Sequence, residues 1–488
     1  MKVAIIGGGI SGLSAAFRLE RARREGADVR YTLFEASDRL GGVMRTERAE
    51  GCLIEAGPDS FLSEKQSAAE LCRELGIADQ LVGSNDAHRR TYILVKGRLI
   101  EMPDGLQFMV PTKLMPTIAT PLFSWGTKLR MAREFFSRPH TSNGDESAAE
   151  FVERHFGPEV VDRLADPLLA GVYGGSAERL SVRAVLPRFL DMEAKYGSLS
   201  RAMLAAMRKH PPAANGPRPI FTSMKEGMQQ LVDAVAAQLD RDAVRTGARI
   251  KVLGREDGEW VVLRQEPEAN LEEPLAASQR RSELRLHGRF DRVILATPAY
   301  IAAGLLRSVE PRLADLLGET AYSSSVTVAL GYSTAGFDGR GAKREDGFGF
   351  LVPRSEQKRL LACTFVHNKF PHRAPEGQLL LRVFLGGSND AAVLEIPDEE
   401  ILRIVRVELR QILGLTVEPS FTRIYRWQRS MAQYEVGHLE RVAEIERLRA
   451  GVRGLALAGN AYRGIGVPDC IKSGLDAAAE CLSAPSTR

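Results

Sequence analysis

The sequence predicts an α/β fold: a doubly wound parallel-sheet domain assembled from discontinuous segments, a second domain with a mixed β-sheet, and a mainly helical insertion. Three observations predict it. Near the N-terminus an apolar run, Val3-Ala4-Ile5-Ile6, enters Gly7-Gly8-Gly9-Ile10-Ser11-Gly12. At the other end a similar run, Leu455-Ala456-Leu457-Ala458, enters Gly459-Asn460 and then Gly464-Ile465-Gly466-Val467-Pro468-Asp469. Between them the texture turns from strand-like to helical and back. Short apolar runs stopped by glycine read as buried parallel strands, and a chain with such a run at each end can bring both to one sheet.

Taken in order, residues 3–6 form the first strand, Ile10 to Arg24 a helix with Leu13, Ala16 and Phe17 inward, and Tyr31 to Phe34 the second strand with Glu35 at its end. This is a βαβ unit of the expected length. A helix follows over Ser67 to Leu75 and a β segment over Arg90 to Val95. From about 98 to 221 the spaced Pro103, Pro111, Pro116 and Pro121, with helical periods, mark the insertion. Arg249 to Val252 and Trp260 to Arg264 flank Asp257-Gly258, a hairpin signal that places Val252 at a strand end. The stretch 266–282 is a polar excursion, Phe290 to Ala296 is a strand before Thr297-Pro298, and Asp398 to Ile412 is a helix among strands. A last helix spans about Cys470 to Cys481. The expected divisions are 1–60, 222–300 and 425–488 for the parallel-sheet domain, 61–97 and 301–424 for the mixed-sheet domain, and 98–221 for the insertion.

Composition narrows the class. At 488 residues and 44% apolar, the chain can bury a large core. A net charge of +4 is too balanced to argue for a nucleic-acid partner. Cys52, Cys72, Cys363, Cys470 and Cys481 are scattered without a CxxC pair, which speaks against a disulfide framework or a metal site and for a reducing compartment. The first strand starts at once, leaving no room for a signal peptide, and no apolar run reaches the ~18–20 residues that span a bilayer. A cytoplasmic protein is expected, with contact to the inner face of the membrane left open.

Gly7-x-Gly9-x-x-Gly12 follows a strand and opens a helix. Gly7 suits the tight turn, Gly9 close approach to a pyrophosphate, and Gly12 helix–strand packing. Gly8, Ile10 and Ser11 complete a loop whose N–H groups face the phosphates. Glu35 suits a ribose hydroxyl and disfavours a 2′-phosphate. The following Arg39, Gly41 and Gly42 form an additional clamp that a nicotinamide dehydrogenase does not need, so FAD is favoured over NAD. At the C-terminal end, backbone N–H groups at Ile465, Gly466 and Val467 could face the O2 side of an isoalloxazine ring and stabilise charge on a reduced flavin.

These segments resemble the flavin amine oxidase superfamily and, more closely, the porphyrinogen oxidases of haem synthesis. The resemblance runs over nearly the whole chain. It includes Gly51 to Phe61, Pro167 to Gly175 with Leu180-Ser181 and Tyr196 to Leu199, Gly227-Met228, Ala296-Thr297-Pro298, Gly347 to Phe350, Trp427, Gln433-Tyr434 and Gly437-His438. It implies a non-covalent FAD held by Gly7 to Gly12, Glu35, Arg39, Gly42, Ala56, Gly57, Pro58, Val252, Trp427, Ile465, Gly466 and Val467. It implies six-electron oxidation of a porphyrinogen to a porphyrin, with molecular oxygen reduced to hydrogen peroxide. Position, exclusion of water and an electron sink matter more there than a strong acid or base. No catalytic acid or base is assigned. Cys470 lies near the flavin turn, and the resemblance implies a structural thiol rather than a covalent link.

For the substrate, the resemblance points to Asp59, Gly171 and Phe384, with Phe350 and Leu351 as weaker candidates, in a mostly apolar cavity with cations for propionates. The chain departs from the mitochondrial type, which carries an arginine near position 91. Thr91 stands here, and Arg90 would point to the other strand face. Lys65 matches a lysine of the coproporphyrinogen-oxidising type in Gram-positive bacteria. The reading favours coproporphyrinogen III, with protoporphyrinogen IX as the alternative. The apolar Met109-Val110, Leu114-Met115 and Leu122-Phe123-Ser124-Trp125 beside Lys113, Lys128, Arg130 and Arg133 could rest on an anionic membrane or form the insertion's own core. An amine oxidase, a carotenoid desaturase, or an idle flavoprotein that carries porphyrin are the competing functions. A handover partner in haem synthesis and the oligomeric state stay open.

Overall fold

The computed structural model describes residues 1–488 apart from 141–143, 210–218, 266–283, 335–345, 389 and 484–488. The polar excursion expected at 266–282 therefore lies outside the described residues. Strand Lys2–Ile6 is central in a five-stranded, all-parallel sheet ordered Val244–Arg245, Arg30–Phe34, Lys2–Ile6, Arg292–Leu295, Leu455–Leu457. The two runs at opposite ends of the sequence are thus separated by a single strand. Such a sheet must be covered on both faces. One face packs on Leu13, Ala16, Leu231, Val235 and Ile471, the other on Trp260, Ala302, Leu306 and Leu313.

The first helix, Ile10–Arg24, packs beside the last, Val467–Ser483. Contact is backbone-close: a Cβ placed on Gly474 would stand 2.0 Å from the Ser11 carbonyl oxygen. The last helix starts three residues before the expected Cys470, because Pro468 in its first turn needs no N–H partner there.

The hairpin Ile250–Glu256 and Glu259–Gln265, joined to Leu284–Phe290, forms a three-stranded antiparallel sheet. Here one expectation is corrected. Val252 does not end its strand; it sits at an irregularity between Ile250 and Val252, and the strand continues to Glu256. Asp257 and Gly258 both take positive φ (51° and 84°), which closes the tightest hairpin and lets both strands run to the turn.

A seven-stranded mixed sheet is ordered Phe421–Ala432, Tyr322–Ser333, Gln378–Gly387, Leu360–Phe365, Gly349–Leu351, Thr91–Val95, Arg98–Glu101. Its period-two alternation sorts two faces. Val326, Val328, Leu381, Val383 and Phe350 pack under helix Asp398–Leu413 through Ile401, Val405 and Leu409. On the other face Ala329, Leu380 and Tyr425 meet Ile54 and Ala56. The short helices between Leu114 and Lys209 build a separate core on Met109, Val110, Leu122, Phe123, Phe151 and Phe156. Among the described residues no helix is long and apolar enough to cross a membrane.

Candidate active site

The glycine loop is shaped by sterics. At Gly7 φ is +108°, and a Cβ would lie 2.4 Å from the Ala296 carbonyl oxygen, so only glycine fits. At Gly12 a Cβ would lie 1.8 Å from the Gly7 carbonyl oxygen, which fixes helix against turn. Gly9 differs: among the described residues a Cβ there would meet nothing within 4 Å. Gly9 is also the N-cap of Ile10–Arg24, and no side chain caps that helix. The first-turn N–H groups at Ile10 and Ser11 thus have no capping side chain among the described residues, and the positive end of the helix dipole lies there.

Glu35 stands where the sequence predicts. Its Oε2 accepts the Gly8 N–H at 2.7 Å, and Oε1 accepts the Ser37 N–H and hydroxyl, both at 2.8 Å. Gly42 rests on Gly9, its notional Cβ 3.3 Å from the Gly9 Cα. Arg39 is turned onto its own loop, donating to the carbonyls of Leu40 (2.9 Å), Met44 (3.1 Å) and Gly42. It therefore braces the clamp from within.

The C-terminal turn is held from outside by Tyr434. Its hydroxyl donates to the Asn460 carbonyl at 2.9 Å and accepts the Gly464 N–H at 2.7 Å. Gly464 takes φ +136°. The Gly466 N–H points to Asp469 Oδ2 at 3.2 Å, and the same oxygen takes the Lys65 ammonium at 2.6 Å. Ile465 and Val467 flank this turn. Cys470 is buried there with its thiol pushed up to about 12 by burial, an inert sulfur.

Ala56, Gly57 and Pro58 leave the hairpin Thr46–Ala49 and Cys52–Glu55, and a Cβ on Gly57 would lie 1.8 Å from the Val43 carbonyl oxygen. The Ala56 N–H donates to Arg45 and the Gly41 N–H to Gly8, so this segment is tied through the 41–45 loop to the glycine loop. The indole N–H of Trp427 donates to the Ala56 carbonyl at 2.9 Å. Arg382 donates to the carbonyls of Gly57 and Ala56.

Behind this segment lies a buried charged cluster that sequence reasoning missed. Lys369 pairs with Asp59 at 3.0 Å, and Arg373 donates to Glu55 (3.2 Å), the Asp59 carbonyl (3.0 Å) and Ser223 (2.5 Å). Glu55 also accepts from the Met228 N–H and the Thr46 hydroxyl. Burial alone would push the Asp59 carboxyl up, but Lys369, Arg382 and Arg373 hold it below the usual carboxylate range. Burial pushes Lys369 down, with Asp59 pulling it back. One signal was present in the sequence: Arg382 is the lone cation in Leu379-Leu380-Leu381-Arg382-Val383-Phe384-Leu385.

The expected substrate residues divide. Phe384 shares a strand face with Arg382, whose guanidinium lies 4.8 Å from the centre of its ring. Among the described residues, a Cβ on Gly171 would meet only the Leu351 side chain, at 4.0 Å, so Gly171 and Leu351 are neighbours. Phe350 does not join them. It is 1% exposed and packs in the core under helix Asp398–Leu413, because adjacent strand residues point to opposite faces. Arg90 lies beside Glu101 (3.5 Å) and Asp346 (3.7 Å), away from the inward face that Ile93 marks.

A dinucleotide fits the residues present. The uncapped helix start, the open space at Gly9 and the buried Thr297 hydroxyl, which lacks a hydrogen-bond partner among the described residues, are what a bound phosphate and its neighbours would complete. The comparisons with known proteins agree. The family model of the flavin containing amine oxidoreductases matches residues 10–482. The chain is 35% identical to coproporphyrinogen III oxidase of Bacillus subtilis, over 99% of this chain and 98% of that one. It is 28% identical to chloroplastic protoporphyrinogen oxidase 1 of Arabidopsis thaliana, over 98% of this chain and 87% of that one. A crystal structure provisionally described as a protoporphyrinogen oxidase, from Exiguobacterium sp. 255-15, superposes with a TM-score of 0.82 at 29% identity, covering 99% of this chain and 98% of that one. The match over residues 10–482, from the start of the first helix through the C-terminal turn, makes this chain a member of the flavin-containing amine oxidoreductase family.

Proposed function

We propose that the protein oxidises a porphyrinogen to a porphyrin with FAD and molecular oxygen, and that coproporphyrinogen III is its preferred substrate. The observation that carries the reading is a juxtaposition. The segment Ala56–Pro58, tied to the dinucleotide loop, runs directly into Asp59, which shares the buried cationic cluster with Arg382 beside Phe384. Support also comes from the higher identity to the coproporphyrinogen III oxidase of Bacillus than to the chloroplastic protoporphyrinogen oxidase.

In the balanced reaction six hydrogens leave the macrocycle and three oxygen molecules become three hydrogen peroxide molecules. FAD supplies the acceptor for each electron pair and its passage to oxygen. The chain's own residues position and shield. Gly9, Ile10 and Ser11 would hold the pyrophosphate, and Glu35 would take the ribose. Trp427 and Arg382 fix the Ala56–Gly57 backbone. Gly171, which carries no side chain, and the neighbouring Leu351 would offer an apolar surface to a flat macrocycle. Among the described residues no cluster of His, Cys, Asp and Glu could hold a metal.

Anaerobic flavin reduction followed by aerobic turnover, with coproporphyrinogen III and protoporphyrinogen IX side by side, tests the reading. Faster turnover of the tetrapropionate is expected. Reduction by neither would overturn it.

We further propose peripheral membrane contact through helices Leu114–Ala119 and Trp125–Glu134. Met109, Val110, Leu122 and Phe123 are core, whereas Met115 (73%), Trp125 (74%), Leu129 (65%) and Phe136 (79%) are exposed beside Lys128 and Arg133. Co-sedimentation with anionic vesicles, lost at high salt, is the expected result. Handover of product to the next enzyme of haem synthesis belongs to the same reading.

A further inference from the structure

Three buried cations, Lys369, Arg373 and Arg382 (8%, 1% and 6% exposed), meet two carboxylates, Glu55 and Asp59. Three against two leaves one positive charge uncompensated within the cluster. A buried ion pair is weak support for stability, and an unmatched buried charge is a cost. Among the described residues the Nε atoms of Arg373 and Arg382 have no hydrogen-bond partner, so these do not fully satisfy the cluster either. Its attachment is specific: Arg382 donates to the Gly57 and Ala56 carbonyls, on the segment that the 41–45 loop ties to the glycine loop.

We propose that Arg382 and Lys369, through this cluster, set the reduction potential of the bound flavin: the unmatched positive charge behind Ala56–Gly57 favours the reduced cofactor. Two-electron reduction with uptake of one proton leaves the flavin negatively charged. A fixed positive charge in a low-dielectric setting stabilises that state over the neutral oxidised one. Arg382 and Lys369 act through space and through the backbone, as positioning and electrostatic residues rather than catalytic ones. The inference rests on the FAD site proposed above.

The test is the reduction potential of bound flavin in purified holoprotein, measured by dye equilibration. Arg382→Gln and Lys369→Met each remove one positive charge and are expected to shift the reduction equilibrium about tenfold toward oxidised flavin, ~30 mV lower for a two-electron couple. Asp59→Asn removes a negative charge and is expected to shift it the opposite way. Arg382→Lys keeps the charge and should stay within twofold of wild type. Opposite signs would not arise from loosened packing. Shifts in one direction for all three neutralising variants, or none above twofold, would overturn the proposal. If Arg382→Gln does not retain flavin, Lys369→Met and Asp59→Asn decide it by their signs. Wild-type protein that binds no flavin would instead overturn the FAD site itself.

Discussion

The Lys65 ammonium lies 2.6 Å from Asp469 Oδ2, across 404 positions of sequence. The same carboxylate oxygen faces the Gly466 N–H at the start of the last helix. Lys65 is therefore the ion-pair partner of an acid at the C-terminal glycine turn. Its side chain is 41% exposed, so the pair adds at most ~1 kcal/mol to stability. Lys65→Ala is expected to leave the ratio of KM values for coproporphyrinogen III and protoporphyrinogen IX within twofold of wild type. Steady-state kinetics with both substrates checks this. A KM increase confined to the tetrapropionate would return Lys65 to the substrate.

Lys65 also shows where sequence reasoning stops. Gly7, Gly12 and Glu35 were legible because their constraints are local: a turn, a helix start, a strand end. Glu55, Lys369, Arg373 and Arg382 were not, since their meeting depends on how the mixed sheet is laid against the hairpin 46–55. Arg382 and Gly57 are 325 positions apart. Phe350 and Leu351 were offered together because a resemblance gives positions without faces. Strand alternation would have separated them had the strand been recognised. The strand's run past Val252 to Glu256 goes with the positive φ at Asp257, a turn that the dipeptide Asp-Gly did suggest.

Trp427→Phe removes the indole donor to the Ala56 carbonyl while keeping an aromatic ring. That carbonyl retains only the longer contact from Arg382, at 3.4 Å. The expected loss is about 1 kcal/mol in chemical unfolding of the holoprotein, with faster flavin release as Ala56–Pro58 loosens. Unchanged unfolding and release would mean that the indole bond does not brace the segment.

Gly474→Val probes the joint between the chain ends. The added side chain cannot avoid the Ser11 carbonyl, 2.0 Å from the first new atom, and backbone is the least yielding neighbour. Separation of the first and last helices is expected to cost at least ~2 kcal/mol and to lower the flavin-to-protein ratio after purification. Full flavin occupancy with unchanged thermal stability would show that the two helices can shift without disturbing the loop.

The helical insertion carries its own pH dependence. His155, 3% exposed, lies with Nε2 3.1 Å from Glu193 and Nδ1 3.4 Å from Glu134; Arg154 also pairs with Glu193. Burial alone would lower the imidazole, but Glu134 and Glu193 raise it above its ordinary value. Burial likewise opposes ionisation of Glu193, which His155 and Arg154 bring down to about 2. For the raised histidine, stability is fully present below the ordinary value of about 6.5 and is lost as pH rises through the folded one. For the lowered glutamate it is present above the ordinary value and lost as pH falls toward about 2. Glu134 ties this group to helix Leu199–Lys209 by accepting the Leu199 N–H at 2.5 Å. Urea unfolding from about pH 6 to about pH 9 should therefore show declining stability in wild type. His155→Gln should cost roughly 3 kcal/mol at the lower pH, the order expected when one partner of a buried pair is removed, and should flatten the decline. Parallel pH profiles for the two proteins would show that His155 is not charged in the folded insertion.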